Sequence, residues 1–275
     1  MRKQVNFSPI QVEIKDFNYR FDINGNIEPF IEITPSIKVD DETHLSKFIL
    51  LNVHPAATVA KGDRILYIPP RDKTGTCDIK VIEQSDEPRL PVNPVVCPVC
   101  GAPLYPGTIG DGRYIRCINR ACKAQIVTNV HILLAALGVV PQSWMLRVLA
   151  VLASRGLLDT PGSIFRMTLA DISSPYTTEL ECQMFLQYLH SVRGHVSISQ
   201  MLRGLRIPGI DASNAAQVDA ICQAHGIGFS NIYDLCHPEL LENIYPEINW
   251  RGWSEFLSLP INKDVLIDLS CFLWG

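Results

Sequence analysis

Four cysteines in two close pairs constrain this chain more than any other feature. They lie in "CPVCGAPLYPGTIGDGRYIRCINRAC", where Cys97 and Cys100 form C-x2-C, sixteen residues follow, and Cys117 and Cys122 form C-x4-C. A tetrahedral metal ion takes two ligands from each of two tight turns, and this spacing supplies them. Pro98 stiffens the first turn, and Gly101 is free to take a positive φ just after the second ligand. "GTIGDG" between the pairs reads as a hairpin tip. The segment is too short to hold a core of its own, so a bound metal would supply its folding energy. The expectation is structural zinc, about one per chain, because four cysteines leave no open coordination position for catalysis. Two disulfides or four buried thiols are the alternative. Cys77, Cys182, Cys222, Cys236 and Cys271 are scattered, mostly on apolar faces, and read as small core residues.

The choice between metal and disulfide depends on compartment. No run of about 18 apolar residues occurs, so no membrane-spanning helix is expected. The opening "MRKQVNFSPIQVEIKDF" has no apolar signal-peptide core. A cytoplasmic location is expected, where thiols stay reduced. With 47% hydrophobic and 19% charged residues, the chain has the means to bury real cores. Net charge is -4, but it is unevenly spread. Residues 1–96 carry 12 Lys+Arg against 14 Asp+Glu (12 − 14 = −2), residues 97–210 carry 10 against 5 (10 − 5 = +5), and residues 211–275 carry 2 against 9 (2 − 9 = −7). A basic middle of this kind suits an anion-binding face.

The fold class expected is multidomain, α and β. Residues 5–83 alternate as strands do in "VNFSPIQVEIKDFNYRF", "PFIEITPSIKV", "KFILLNV", "RILYIPP" and "CDIKVIE". Turn residues at 24–26, 40–41, 61–63 and 74–75 separate them. Five short strands in such a span predict a small closed barrel over 1–84. "SDEPRLPVNP" then reads as a Pro-rich linker, giving a linker at 85–95 and a cysteine module at 96–126. From residue 127 to 275 the apolar period becomes helical. Trp144, Met145, Val148, Leu149 and Leu152 share one helix face, and Gly156 is a helix stop. Further helices are predicted at 163–171, 178–191, 197–204, 212–225, 230–236, 237–243, 250–258 and 263–272.

One turn in this half carries chemistry. In "LRGLRIPGIDASNAAQVDAIC" a helix ends near Arg203, the chain turns through Ile207-Pro208-Gly209-Ile210, and a new helix starts at Asp211 to Ser213. This is helix–hairpin–helix spacing. Gly209 permits close backbone approach, the amides opening the second helix attract phosphate, and Arg203 and Arg206 add charge. An αα-hairpin that only packs is the alternative reading. "LGVVPQ", ahead of the helix carrying Arg147, "IYPEINWRG" and "HGIGFSN" are weaker turns of related shape.

Taken together, "CPVCGAPL", "RCINRACKAQ" and "SVRGHVSISQMLRGLRIPGI" resemble the C-terminal half of the NAD-dependent DNA ligases. In that family an OB barrel, a four-cysteine zinc finger and a helix–hairpin–helix domain follow in this order. "THLSKFILLNV" and "VAKGDRILYIPP" resemble the family's barrel strands, so the likeness covers nearly the whole chain. There are departures. The family's Lys-x-Asp-Gly nucleophile motif occurs nowhere in the sequence, nor do its N-terminal nicotinamide-binding and C-terminal BRCT segments. Ile23-Asn24-Gly25-Asn26 stands where the family has Gly-Arg-Thr-Gly, and Lys123 stands where it has a proline.

What the resemblance implies is a chain that grips DNA without carrying the nucleophile. It reads as the DNA-clamping subunit of a split, phage-type ligase in the host cytoplasm, with a fragment of a single-chain ligase as the lesser alternative. Its partners would be nicked duplex DNA, met in replication and repair, and an adenylation-domain subunit that uses NAD. No catalytic residue is expected on this chain. Its candidate DNA contacts are Arg113, Arg116, Arg120 and Lys123 beside the finger, Arg147, Arg193, Arg203, Arg206 and Gly209 near the hairpins, and Lys47, Asn52, Lys61 and Arg64 on the barrel. A stand-alone, non-catalytic module for nicked or branched DNA is the alternative.

Overall fold

The computed structural model describes residues 9–38, 44–50, 57–68, 78–109, 112–140, 142–224 and 250–274, with isolated positions between 226 and 246. The chain divides into two compact units, Met1–Arg116 and Cys117–Gly275. The helices expected at 230–236 and 237–243 fall mostly outside the described residues, and Asn52 and Cys77 lie outside them.

The first unit is built on an antiparallel five-stranded sheet of order β3-β2-β1-β5-β6. Its strands are β1 (Ile10–Phe21), β2 (Ile27–Lys38), β3 (His44–Ile49), β5 (Arg64–Ile68) and β6 (Asp78–Glu83). Alternation places Val12 and Ile14 of β1 in the core. A register shift between Ile14 and Asp16 then moves the inward phase to Phe17, which sits opposite Ile31. An extra residue in one strand reverses which positions face inward and bends the strand. This bend lets β1 pair with β5 over Ile10–Glu13 and with β2 from Glu13 to Phe21. Ile31, Ile33, Ile65 and Tyr67 complete the core, each buried Ile contributing about 1.5–3 kcal/mol. No pairing joins β3 to β6 among the described residues, so closure of the expected barrel is not seen there.

The Pro-rich stretch expected as a linker is fastened to the sheet. β7 (Leu90–Pro91) pairs with β4 (Thr58–Val59), the Val92 amide donates to the Ala57 carbonyl, and the Tyr19 hydroxyl donates to the Pro91 carbonyl. Beneath it Asp63 is fully buried. Its carboxylate accepts from the amides of Ala60 and Ser85, each at 2.9 Å, and from both terminal nitrogens of Arg89 at 3.0 Å. A strand hairpin, β8 (Leu104–Ile109) and β9 (Gly112–Cys117), follows.

The second unit is helical: α1 (Ile126–Ala136), α2 (Ser143–Ser154), a 3-10 turn (Pro161–Arg166), α3 (Leu169–Ile172), α4 (Glu179–Ser191), α5 (Ile198–Leu205), α6 (Ala212–Ala224), α7 (Trp250–Leu257) and α8 (Pro260–Trp274). One core runs through them and includes Leu133, Met145, Leu149, Leu152, Phe185, Met201, Trp253 and Leu266. Met145, Val148, Leu149 and Leu152 of α2 point inward, as the period predicts, while Trp144 packs edge-on against Phe185. The helix predicted at 163–171 is two pieces. Capping boxes at Thr160/Ser163 and at Thr168/Asp171 each start a new element, and Met167 between them is extended. Small residues set the close approaches: a side chain at Gly204 would press on Leu133 of α1, and one at Gly252 of α7 would overlap the Pro208 carbonyl. Among the described residues no helix is long and apolar enough to cross a membrane.

Candidate metal centre and nucleic-acid interface

The first cysteine turn closes locally. The Cys97 amide donates to the Ala102 carbonyl at 2.8 Å, the Gly101 amide donates to the Cys97 carbonyl at 2.9 Å, and Gly101 has φ 69°. The left-handed conformation lets the chain double back just after Cys100. The second turn is shaped by Asn119, whose side-chain oxygen accepts from the Ala121 amide at 2.8 Å and whose carbonyl accepts from the Cys122 amide at 3.2 Å. Together the two turns bring the sulfur atoms of Cys97, Cys100, Cys117 and Cys122 within 4.8 Å of one another. Cys97, Cys117 and Cys122 are buried and Cys100 is exposed.

This donor set fits a tetrahedral ion. Four sulfurs at the Zn–S distance of about 2.3 Å lie about 3.8 Å apart, so a contraction of about 1 Å suffices. Soft thiolates favour zinc over hard cations such as magnesium or calcium. All four positions would be filled by protein, leaving none for substrate.

The second cysteine turn is tied into the helical unit by a buried polar node. Asn262, fully buried near the start of α8, accepts from the Arg120 amide at 3.0 Å. Its side-chain nitrogen donates to the carbonyls of Ile118 at 3.0 Å and Phe256 at 2.8 Å. Asn129 of α1, 2% exposed, donates to the Arg120 carbonyl at 2.9 Å. The Arg120 guanidinium lies 5.9 Å from the centre of the Phe256 ring and donates to the Arg206 carbonyl at 3.1 Å. Arg120 is 2% exposed, which corrects its expected place on a DNA-facing surface: its charged head is enclosed by protein. The Asn262 and Asn129 contributions have no local sequence signature, because their partners are 142 and 9 residues away along the chain.

The other expected contacts are distributed over both units. On the sheet, Lys47 is exposed and lies 3.7 Å from Glu32, while Arg64 pairs with Glu83 at 2.6 Å. Lys61 is exposed in the β4–β5 turn, where its carbonyl accepts from the Ser85 hydroxyl. Arg116 in β9 is partly exposed and bridges Asn26 of the Ile23–Asn26 turn. Arg113 belongs to the same strand, but its side chain is outside the described residues. In the helical unit Lys123, Arg193 and Arg203 are exposed, and Arg147 pairs with Glu181 at 3.1 Å.

The α5–α6 turn gathers three of these residues. A Ser197/Gln200 capping box opens α5, whose last turn holds Arg203. Arg206 then takes the left-handed conformation, φ 51° and ψ 47°. The Ile210 amide donates to the Ile207 carbonyl at 3.0 Å, with Gly209 at φ 77° between them. The Asp211 carboxylate accepts from the Asn214 amide at 2.8 Å, and the Asn214 side chain donates to the Gly209 carbonyl at 3.0 Å. Ala212 and Ser213 are exposed, and first-turn amides of a helix lack intrahelical acceptors.

No protein-family model matches the chain. A stretch of 117 residues, 42% of the chain, is 31% identical to a DNA ligase of Sorangium cellulosum (strain So ce56). The match spans 16% of that ligase, so the chain is a partial and distant relative of a DNA ligase.

Proposed function

We propose that this chain is the DNA-gripping part of an NAD-dependent DNA ligase, with the adenylated lysine carried by a separate adenylating chain. The observation that carries the reading is the four-sulfur cluster within a chain that partly matches a DNA ligase. The β1–β6 sheet, bent at a bulge in its central strand, is read as an OB-type barrel that sits on the duplex opposite the nick. The cysteine module is read as a zinc finger, where the four thiolates of Cys97, Cys100, Cys117 and Cys122 would hold one ion. Bound zinc would supply a structural crosslink between two turns and no chemistry on the substrate. The α5–α6 pair is read as a helix–hairpin–helix element.

In this reading no nucleophile resides on this chain. Its residues hold the broken ends, and such positioning accounts for up to about 7–11 kcal/mol of a barrier. Arg203 and Arg206, with the Gly209 turn and the exposed start of α6, face phosphate, and Arg116, Lys123 and Arg193 are further contacts. Lys47, Arg64 and Arg147 already have carboxylate partners. Exposed pairs of this kind are worth about 0–1 kcal/mol, so exchanging a glutamate for a phosphate costs little. Backbone contacts carry no sequence information, so binding is sequence-independent and salt-sensitive.

The test is nick sealing with NAD by this chain, by a Lys-x-Asp-Gly protein, and by both mixed. Sealing by the mixture alone is expected. Sealing by this chain alone would overturn the placement of the lysine elsewhere, whereas tight nick binding that never aids sealing would favour the stand-alone module. Arg203→Glu is expected to weaken nicked-duplex binding and lower the salt slope by about 1–2. Unchanged affinity at low salt would remove this turn from the interface.

A further inference from the structure

Arg206 is the one described residue other than glycine with positive φ, and a side chain in that conformation is strained. Such strain persists only where the surroundings over-determine it. Three contacts do so. The Arg206 amide donates to the Arg203 carbonyl at 3.1 Å, the Arg206 carbonyl accepts from the buried Arg120 guanidinium at 3.1 Å, and Pro208 packs directly on Gly252. Arg120 belongs to the Cys117–Cys122 turn, and its own backbone is held at both polar groups, the amide by Asn262 and the carbonyl by Asn129.

We propose that Arg120 is a positioning residue: it holds Arg206 in the left-handed conformation and thereby transmits the order of the metal-binding turn to the Ile207–Gly209 hairpin. Loading the cysteines then rigidifies the turn that meets phosphate, so that metal and duplex binding reinforce one another. The link to DNA rests on the function proposed above; the mechanical link does not. The reciprocity follows from linkage, since a hairpin already ordered by metal costs less to order on DNA.

The test is amide hydrogen exchange on the full zinc-loaded chain, comparing wild type with Arg120→Met, Arg206→Gly and the double variant. Loss of the bond to the Arg206 carbonyl is expected to raise exchange at Ile210 and Asn214 roughly fivefold to tenfold in Arg120→Met, with α2 and α4 unchanged. Glycine adopts the left-handed conformation without strain, so Arg206→Gly is expected to restore protection in the double variant. Chelating the metal is expected to loosen the same amides in wild type and to add nothing in Arg120→Met. Hairpin amides indifferent to Arg120→Met, a uniform rise across the helical unit, or no rescue by glycine would each overturn the proposal. Nicked-duplex affinity is read in parallel. A wild-type chain that ignores DNA defeats the ligase reading, while the exchange pattern still decides the role of Arg120.

Discussion

In the sheet unit a buried carboxylate, Asp63, holds the stretch that leads to Cys97 and Cys100; in the helical unit the buried amides of Asn262 and Asn129 hold the turn that carries Cys117 and Cys122. The first fastening is an ion pair with Arg89 reinforced by backbone amides. The second joins neutral amides and one permanently charged guanidinium to main-chain carbonyls. Both fastenings cost desolvation, but only the carboxylate titrates as the medium is acidified; in the amide node each member leaves buried groups unsatisfied when removed. Two arms of one cysteine cluster are therefore secured by chemistries with different weaknesses.

The largest effect is expected from removing the cluster that both arms serve. Cys117→Ser or chelation is expected to abolish metal content, about one zinc per chain by elemental analysis, and to expose residues 97–122 to protease. Structural zinc is worth about 10–16 kcal/mol in small modules, so retention of protease resistance without metal would show that the cluster is not a metal site. Next, Asn262→Leu keeps volume but strands the Arg120 amide and the Ile118 and Phe256 carbonyls. At about 1–3 kcal/mol for a stranded buried group, the expected loss is about 3–5 kcal/mol in denaturant unfolding followed by tryptophan fluorescence. All four tryptophans lie in the helical unit, at 144, 250, 253 and 274, so this probe reports on it alone. Gly252→Ala is expected to cost about 1–3 kcal/mol on the same probe, because the new methyl meets the Pro208 carbonyl.

The mildest test separates the two fastenings by pH. Burial pushes the Asp63 carboxyl upward, but the Ser85 and Ala60 amides and Arg89 outweigh it and hold it below the usual aspartate value. The stability this supplies is complete above about pH 3.9, the value in an unfolded chain, and is lost as pH falls through the lower native value. Acidification below that point is therefore expected to loosen the sheet unit, read by tyrosine fluorescence or far-ultraviolet circular dichroism. The Asn262 node should not respond. Equal acid sensitivity with Asp63→Asn in place would remove Asp63 as its source.

Local pattern explains which of these features were readable in advance. Strand alternation located β1, β2, β3, β5 and β6, because each buries one face. The helical period and the Pro208-Gly209 turn placed the ends of α5 and α6 within a residue, while the Ser197/Gln200 box that opens α5 went unread. The cysteine spacing alone foretold the cluster that the fold assembles. What escaped was long-range. Arg120 reads as a surface charge until Asn262 and Arg206 enclose it. The stretch from Ser85 to Pro94 reads as a linker because prolines dominate it, while its anchor depends on Asp63, 22 residues before Ser85 and 26 before Arg89. The bulge after Ile14 carries no glycine to announce it.

Asn262 also fixes a sequence of events during synthesis. It follows Arg120 by 142 residues, so a growing chain cannot lock the second cysteine turn until α8 emerges. At about 5–20 residues per second this leaves an interval of roughly 7–28 s in which Cys117 and Cys122 exist without their final support. An ion captured in that interval would have to hold the turn by itself, and the newborn helices would then close around a loop already knotted by sulfur.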